Sequence, residues 1–179
     1  MKKLSIILLV LTVTFLSSCK KDPIIPNEEE LITTLVYTLT PTSGGAAVEF
    51  RFQDLDGDGG AAAILTEGVL QANTSYNAVI QVLNETVSPS DNITAEVLAE
   101  GEDHQFFFQM ANSLMTVTYA DTDASGNPIG IATTVNTLSA GTETLTITLK
   151  HEPTKPNNGT ISDAGGESDI QVEFNVEIQ

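Results

Sequence analysis

Beyond residue 30, apolar and polar positions alternate with a period of two, the signature of strands with one buried face. The final segment is the clearest. Ile170, Val172, Phe174, Val176 and Ile178 fall on one face, and Gln171, Glu173, Asn175, Glu177 and Gln179 on the other. A slip of one residue would bury the acids, so the register is strongly specified. Leu31, Leu35, Tyr37 and Leu39 follow the same rule, as do Val48, Phe50 and Phe52. Ala78, Ile80 and Val82, then Phe106, Phe108 and Met110, then Met115, Val117 and Tyr119 extend the set, with Leu145, Ile147 and Leu149. Residues 61–72 and 129–137 are weaker strands, interrupted by Gly68 and Gly130.

Turn-forming clusters lie between these runs, at Pro41–Gly45, Asp54–Gly60, Asp121–Pro128, Ser139–Thr142 and Pro153–Gly166. Short strands joined in this way predict an all-β antiparallel sandwich of about eight or nine strands. One short helix at most is expected, near 90–100, capped by Ser90 or Asp91, with Ile93, Val97 and Leu98 on one side. Alternation puts Phe106 and Phe108 in the core. Phe107 then points outward, where packing beneath a neighbouring loop is favoured over contact with a ligand.

The first 30 residues break the pattern. Lys2 and Lys3 precede a 13-residue apolar run, Leu4–Leu16, which is too short for a membrane span of ~20 residues. It ends in Leu16-Ser17-Ser18-Cys19, which resembles a bacterial lipobox. That resemblance implies diacylglycerol transfer to the Cys19 thiol, cleavage before Cys19 and acylation of the new amino terminus. Residues 1–18 are then a lipoprotein signal peptide, 19–30 the lipidated cysteine with an acidic tether, and 31–179 one β-sandwich domain. Several acyl chains anchor a protein firmly, so Cys19 is a membrane attachment point rather than a nucleophile. Lys20 stands where many enteric lipoproteins carry an inner-membrane retention Asp, and the Lys- and acid-rich segment resembles surface-export signals of Bacteroidota lipoproteins. An outer-membrane location is expected, with the cell surface favoured over the periplasm.

Charge sharpens this picture. The 179-residue chain has 24 acidic and 7 basic side chains, a formal net charge of −17. Loss of residues 1–18 removes Lys2 and Lys3 and no acid, leaving 5 basic against 24 acidic side chains, or −19. Such a body repels anionic lipid and has little with which to grip a nucleic-acid backbone. A single cysteine excludes an internal disulfide.

Three sets of residues invite a chemical role. Asp54, Asp56 and Asp58 are spaced like carboxylates curling round calcium, with Glu67 as a further ligand nearby. The twelfth position is Leu65 where an EF-hand carries a bidentate Glu, and an acidic hairpin turn explains the same residues. Asp121, Asp123 and Ser125 repeat the spacing more weakly and read as a hairpin loop. His104 and His151 end strands beside acidic neighbours and could meet across a sheet, as ligands of a metal or haem or as plain edge histidines. No nucleophile elbow, Walker loop or dinucleotide loop occurs, and a chain without Trp is poor in sugar-stacking platforms.

The order EELITT (29–34), FQDLDGDGG (52–60), HQFFF (104–108), YADTD (119–123), HEP (151–153) and DAGGESDI (163–170) resembles a family of small flavobacterial lipoproteins of unassigned activity. That family often carries the label "type 1 periplasmic binding fold". The fold the label implies, two lobes of α/β with parallel sheets, conflicts with the strand pattern, which governs the expectation here. The resemblance also suggests an accessory of TonB-dependent uptake. The expected function is therefore a non-enzymatic, lipid-anchored binding or accessory protein. Haem or metal capture through His104 and His151 is the alternative.

Overall fold

The computed structural model describes residues 31–179 except position 58, so Cys19, the tether and Asp58 lie outside the described residues. Ten strands form two facing sheets. The six-stranded sheet has the order β3 (Ile64–Thr66), β2 (Val48–Gln53), β1 (Thr34–Pro41), β5 (Ser75–Leu83), β8 (Ala132–Thr137) and β7 (Met115–Tyr119). The four-stranded sheet runs β4 (Val69–Leu70), β10 (Glu167–Ile178), β9 (Gly141–His151) and β6 (His104–Met110). All pairings are antiparallel except that of β4 with β10. The all-β sandwich is as the alternation predicts.

Alternation carries the core directly. Leu35, Tyr37 and Leu39 of β1, Ala78, Ile80 and Val82 of β5, and Val172, Phe174, Val176 and Ile178 of β10 share one buried cluster. Aromatic rings tie the two layers together. Phe50 meets Phe174 edge-on with centroids 5.7 Å apart, and Tyr37 meets Phe108 at 5.8 Å. The Tyr37 hydroxyl lies 2.7 Å from that of Thr133, which satisfies the one polar atom this ring buries.

The weak 61–72 strand resolves into two pieces. β3 joins the larger sheet, and β4 crosses to the smaller one. The crossing falls at Gly68, where a Cβ would stand 2.2 Å from Val48 Cγ1, so only glycine lets the chain pass this closely. The helix α1 (Ile93–Ala99) begins after Asn92 rather than after Ser90 or Asp91. Asp91 instead bridges Asn84 through paired main-chain bonds. Ile93 and Val97 are buried, one turn apart, while Leu98 lies a further ~100° round and is exposed. A second short helix, α2 (Ile161–Ala164), lies within the Pro153–Gly166 turn cluster, where the sequence predicts none.

The outer face of the small sheet is covered too. Phe107, Thr148 and Lys150 are buried there, because the segment after β9 folds back over β6 and β9. Asn157 of that segment donates to the Gln105 side chain at 2.8 Å, and Ala164 is fully buried. Phe107 thus packs beneath a loop, the favoured expectation.

Candidate functional site

The 54–57 loop leaves β2 and stands between two hollows. The larger, of about 600 Å³, lies where the edges of the two sheets part, with Thr33, Phe52, Asp54, Leu55, Asp169 and Ile170 among its walls. The smaller, of about 280 Å³, separates Leu55 and Asp56 from Ala61 and Ile64. Leu31, Leu55 and Ile64 are 57%, 50% and 64% exposed and line these hollows, and Leu65, 47% exposed, follows Ile64 on the opposite face of β3. Large apolar side chains grouped in solvent mark a binding surface more often than scattered ones do.

The loop's acids are engaged in its own turn. Asp54 Oδ1 accepts from the Asp56 and Gly57 main-chain N–H groups at 3.3 and 2.9 Å. Asp56 Oδ2 reaches over Gly60 to accept from Ala61 N–H at 2.9 Å. A Cβ on Gly60 would sit 2.3 Å from the Asp56 carboxyl carbon, so the glycine makes room for that carboxylate. Glu67, expected as a further calcium ligand, is placed elsewhere. The β2–β3 register sets it four residues along from the level of Asp54, about 13 Å away. Its carboxylate accepts from Asn175 N–H at 2.7 Å and lines a separate hollow with Gly141 and Glu177. Among the described residues, no group of three or more His, Cys, Asp or Glu side chains is arranged to hold a metal ion.

His104 and His151 do meet. They are cross-strand partners between β6 and β9, with ring centroids 4.9 Å apart and planes within 8° of parallel. Imidazole lone pairs lie in the ring plane, so two stacked rings offer no common coordination point. His104 is also fully buried. In this arrangement the pair cannot clasp a metal or the face of a haem.

The residue that joins the pair to the groove is Asp169, which alternation misses. Counting back from Gln171 puts Asp169 on the outer face. The β9–β10 register, however, shifts between Ser168 and Ile170, leaving Asp169 as the extra residue of a bulge. The bulge turns its side chain inward, to 4% exposure, with Oδ2 3.9 Å from His104 Nε2. The carboxylate thus lines the groove with the histidine behind it.

The second acidic loop binds a cation of its own chain. Asp121–Pro128 links β7 to β8, the expected hairpin. Asp123 Oδ1 accepts from Ser125 and Asn127 N–H, while Oδ2 meets the Lys155 ammonium at 3.2 Å. Lys155 also donates to the Gly101 and His104 carbonyls at 2.6 and 2.7 Å. Burial works to raise the Asp123 pKa, but the Asn127 N–H and the Lys155 ammonium outweigh it and hold the carboxyl below its usual range.

No helix among the described residues is long and apolar enough to cross a membrane. No protein-family model matches the chain, and no curated protein matches it.

Proposed function

We propose that this is a lipid-anchored binding or accessory protein of the outer membrane, held by Cys19, displayed on the cell surface and without catalytic activity. Its partner on this reading is a TonB-dependent receptor or the cargo of one. The observation that carries the binding role is the open end of the sandwich. Three large apolar side chains, Leu31, Leu55 and Ile64, stand in solvent there beside an acidic loop and a groove wide enough for a ligand or a partner's loop. Anchoring rests on the Leu16–Cys19 motif and the acidic tether that follows it.

Mild-detergent extraction of the native acylated protein, with size analysis and mass spectrometry of what co-elutes, tests the reading. A TonB-dependent receptor in near-equal amount is the expected result. Elution alone removes the receptor role, and an unacylated Cys19 removes the anchor.

A further inference from the structure

We infer that the β3 edge at this open end receives an extended, cationic segment of a partner protein, which adds a strand to the six-stranded sheet. The inference rests on the binding role proposed above and names the class of partner. β3 is the outermost strand of its sheet, and every residue from Ala61 to Glu67 is exposed. Edge strands carry a row of main-chain donors and acceptors that natural proteins guard by keeping the strand short, as β3 is at three residues, or with Lys, Pro, bulges or a covering loop. The run Ala61–Thr66 contains neither Lys nor Pro, and its register with β2 shows no bulge. By contrast, the β6 edge of the other sheet is covered: Phe106 N–H donates to Ile129 O at 2.7 Å, and the Tyr119 hydroxyl donates to Phe106 O at 2.8 Å.

Charge specifies the occupant. Three cationic side chains are present among the described residues, and each is already committed. Arg51 pairs with Glu85 at 2.6 Å, Lys150 donates to Ser168, and Lys155 pairs with Asp123. Beside β3, the exposed Asp56 and the half-buried Asp54 therefore have no lysine or arginine of this set to answer them. A second copy of this chain would bring like charge to the same edge, and an anionic lipid surface is repelled. A strand with alternating apolar and basic residues fits both features. Its main chain pairs with β3, its apolar side chains cover Ile64 on one face, and on the other its basic side chains lay their aliphatic stems over Leu65 and reach the 54–56 loop with their cations.

The test uses the full acylated chain in detergent and three synthetic ten-residue peptides. One alternates Val or Thr with Lys or Arg, one has the same composition with the basic residues in a block, and one alternates Val or Thr with Glu. Binding is read by fluorescence anisotropy, and strand pairing by hydrogen exchange of the 64–66 amides. The alternating basic peptide is expected to bind, weaken with salt, slow those amides, and lose about tenfold in affinity to I64S/L65S at unchanged melting temperature. Equal binding of the blocked or acidic peptide, no binding of the basic one, or full affinity in the double variant overturns the inference. Self-association lost in that variant overturns it too, in favour of a second copy. A receptor that still co-extracts with I64S/L65S keeps the accessory role and removes the edge alone.

Discussion

The two ends of this sandwich treat charge in opposite ways. Around β6 and β9, buried polar groups find partners within the chain. Lys155 holds two carbonyls and Asp123, and Gln105 is bonded by Asn157. Around β2 and β3, Asp54 and Asp56 accept from main-chain N–H groups of their own turn, while Leu31, Leu55, Ile64 and Leu65 stand in water. With so few cations in the chain, the covered side takes Lys150 and Lys155 for structure. The difference teaches where selection for folding stops: one side commits its lysines to buried polar groups, and the other leaves its loop acids without a lysine or arginine and its apolar side chains in water, available to a partner.

The sharpest way to break the comparison is to empty the covered side of its cation. Lys155→Met leaves a buried carboxylate and two carbonyls without their donor, and about 3–5 kcal/mol of stability is the expected loss by urea unfolding. A loss below 1 kcal/mol would mean that water replaces the ammonium and that this side is no more closed than the other. Glu143 is a second case, fully buried, with its carboxylate accepting from the main-chain N–H groups of Asn112, Leu114 and Thr144. Glu143→Ala strands the Asn112 and Leu114 donors of the β6–β7 turn and the Thr144 donor of β9 and should cost about 2–3 kcal/mol, with Glu143→Gln recovering part of it.

The sequence makes one side of this contrast more legible than the other. Period-two alternation locates the core because an inward residue stays inward while the register holds, as Ile170 to Ile178 show. It fails at Asp169 because a bulge adds one residue and reverses the face, and nothing in the residue types announces this. It fails at Thr148 and Lys150, which read as outward and are buried because the segment that follows β9 folds back over the sheet, a return that alternation does not encode. The pairing of His104 with His151 was legible from their places at strand ends, whereas their stacking was not, since ring orientation is set by packing. The Asp54–Gly60 run illustrates a different limit. Carboxylates and glycines at that spacing suit a cation or a tight turn equally, and only the bond from Ala61 to Asp56 shows how the turn uses them.

Acidification probes the comparison more gently. Glu85 Oε2 accepts from the Thr34 hydroxyl, the Gln53 amide and the Arg51 guanidinium, which hold its carboxyl below the usual range. Asp123 is lowered as well. A carboxyl depressed in the folded state stabilises it fully above the unfolded value of about 4, and that contribution disappears as pH falls through the lowered folded value. Stability should therefore hold at neutral pH and decline on acidification from about pH 5 downward. Glu85→Gln should flatten part of this decline, by no more than about 1 kcal/mol because the group is partly solvated. An unchanged slope would place the acid sensitivity on the covered side alone.

The smallest effects belong to the open end, and their smallness is the point. Leu55→Ser and Ile64→Ser remove side chains that are half or more exposed, so folding stability should move by less than about 0.5 kcal/mol. Phe50→Ala, in the core, should cost about 3–5 kcal/mol. Calcium asks whether the loop is a turn or a metal site. With Glu67 bonded to β10 and with Asp54 and Asp56 each accepting main-chain N–H groups, the melting temperature should be the same in millimolar calcium and in chelator. A ligand that binds only the folded state must raise that temperature, so a rise of several degrees that Asp56→Ala abolishes would make the loop a calcium site. The open end would then answer its acids with a metal ion, and the cationic strand inferred for β3 would lose the charge that calls for it.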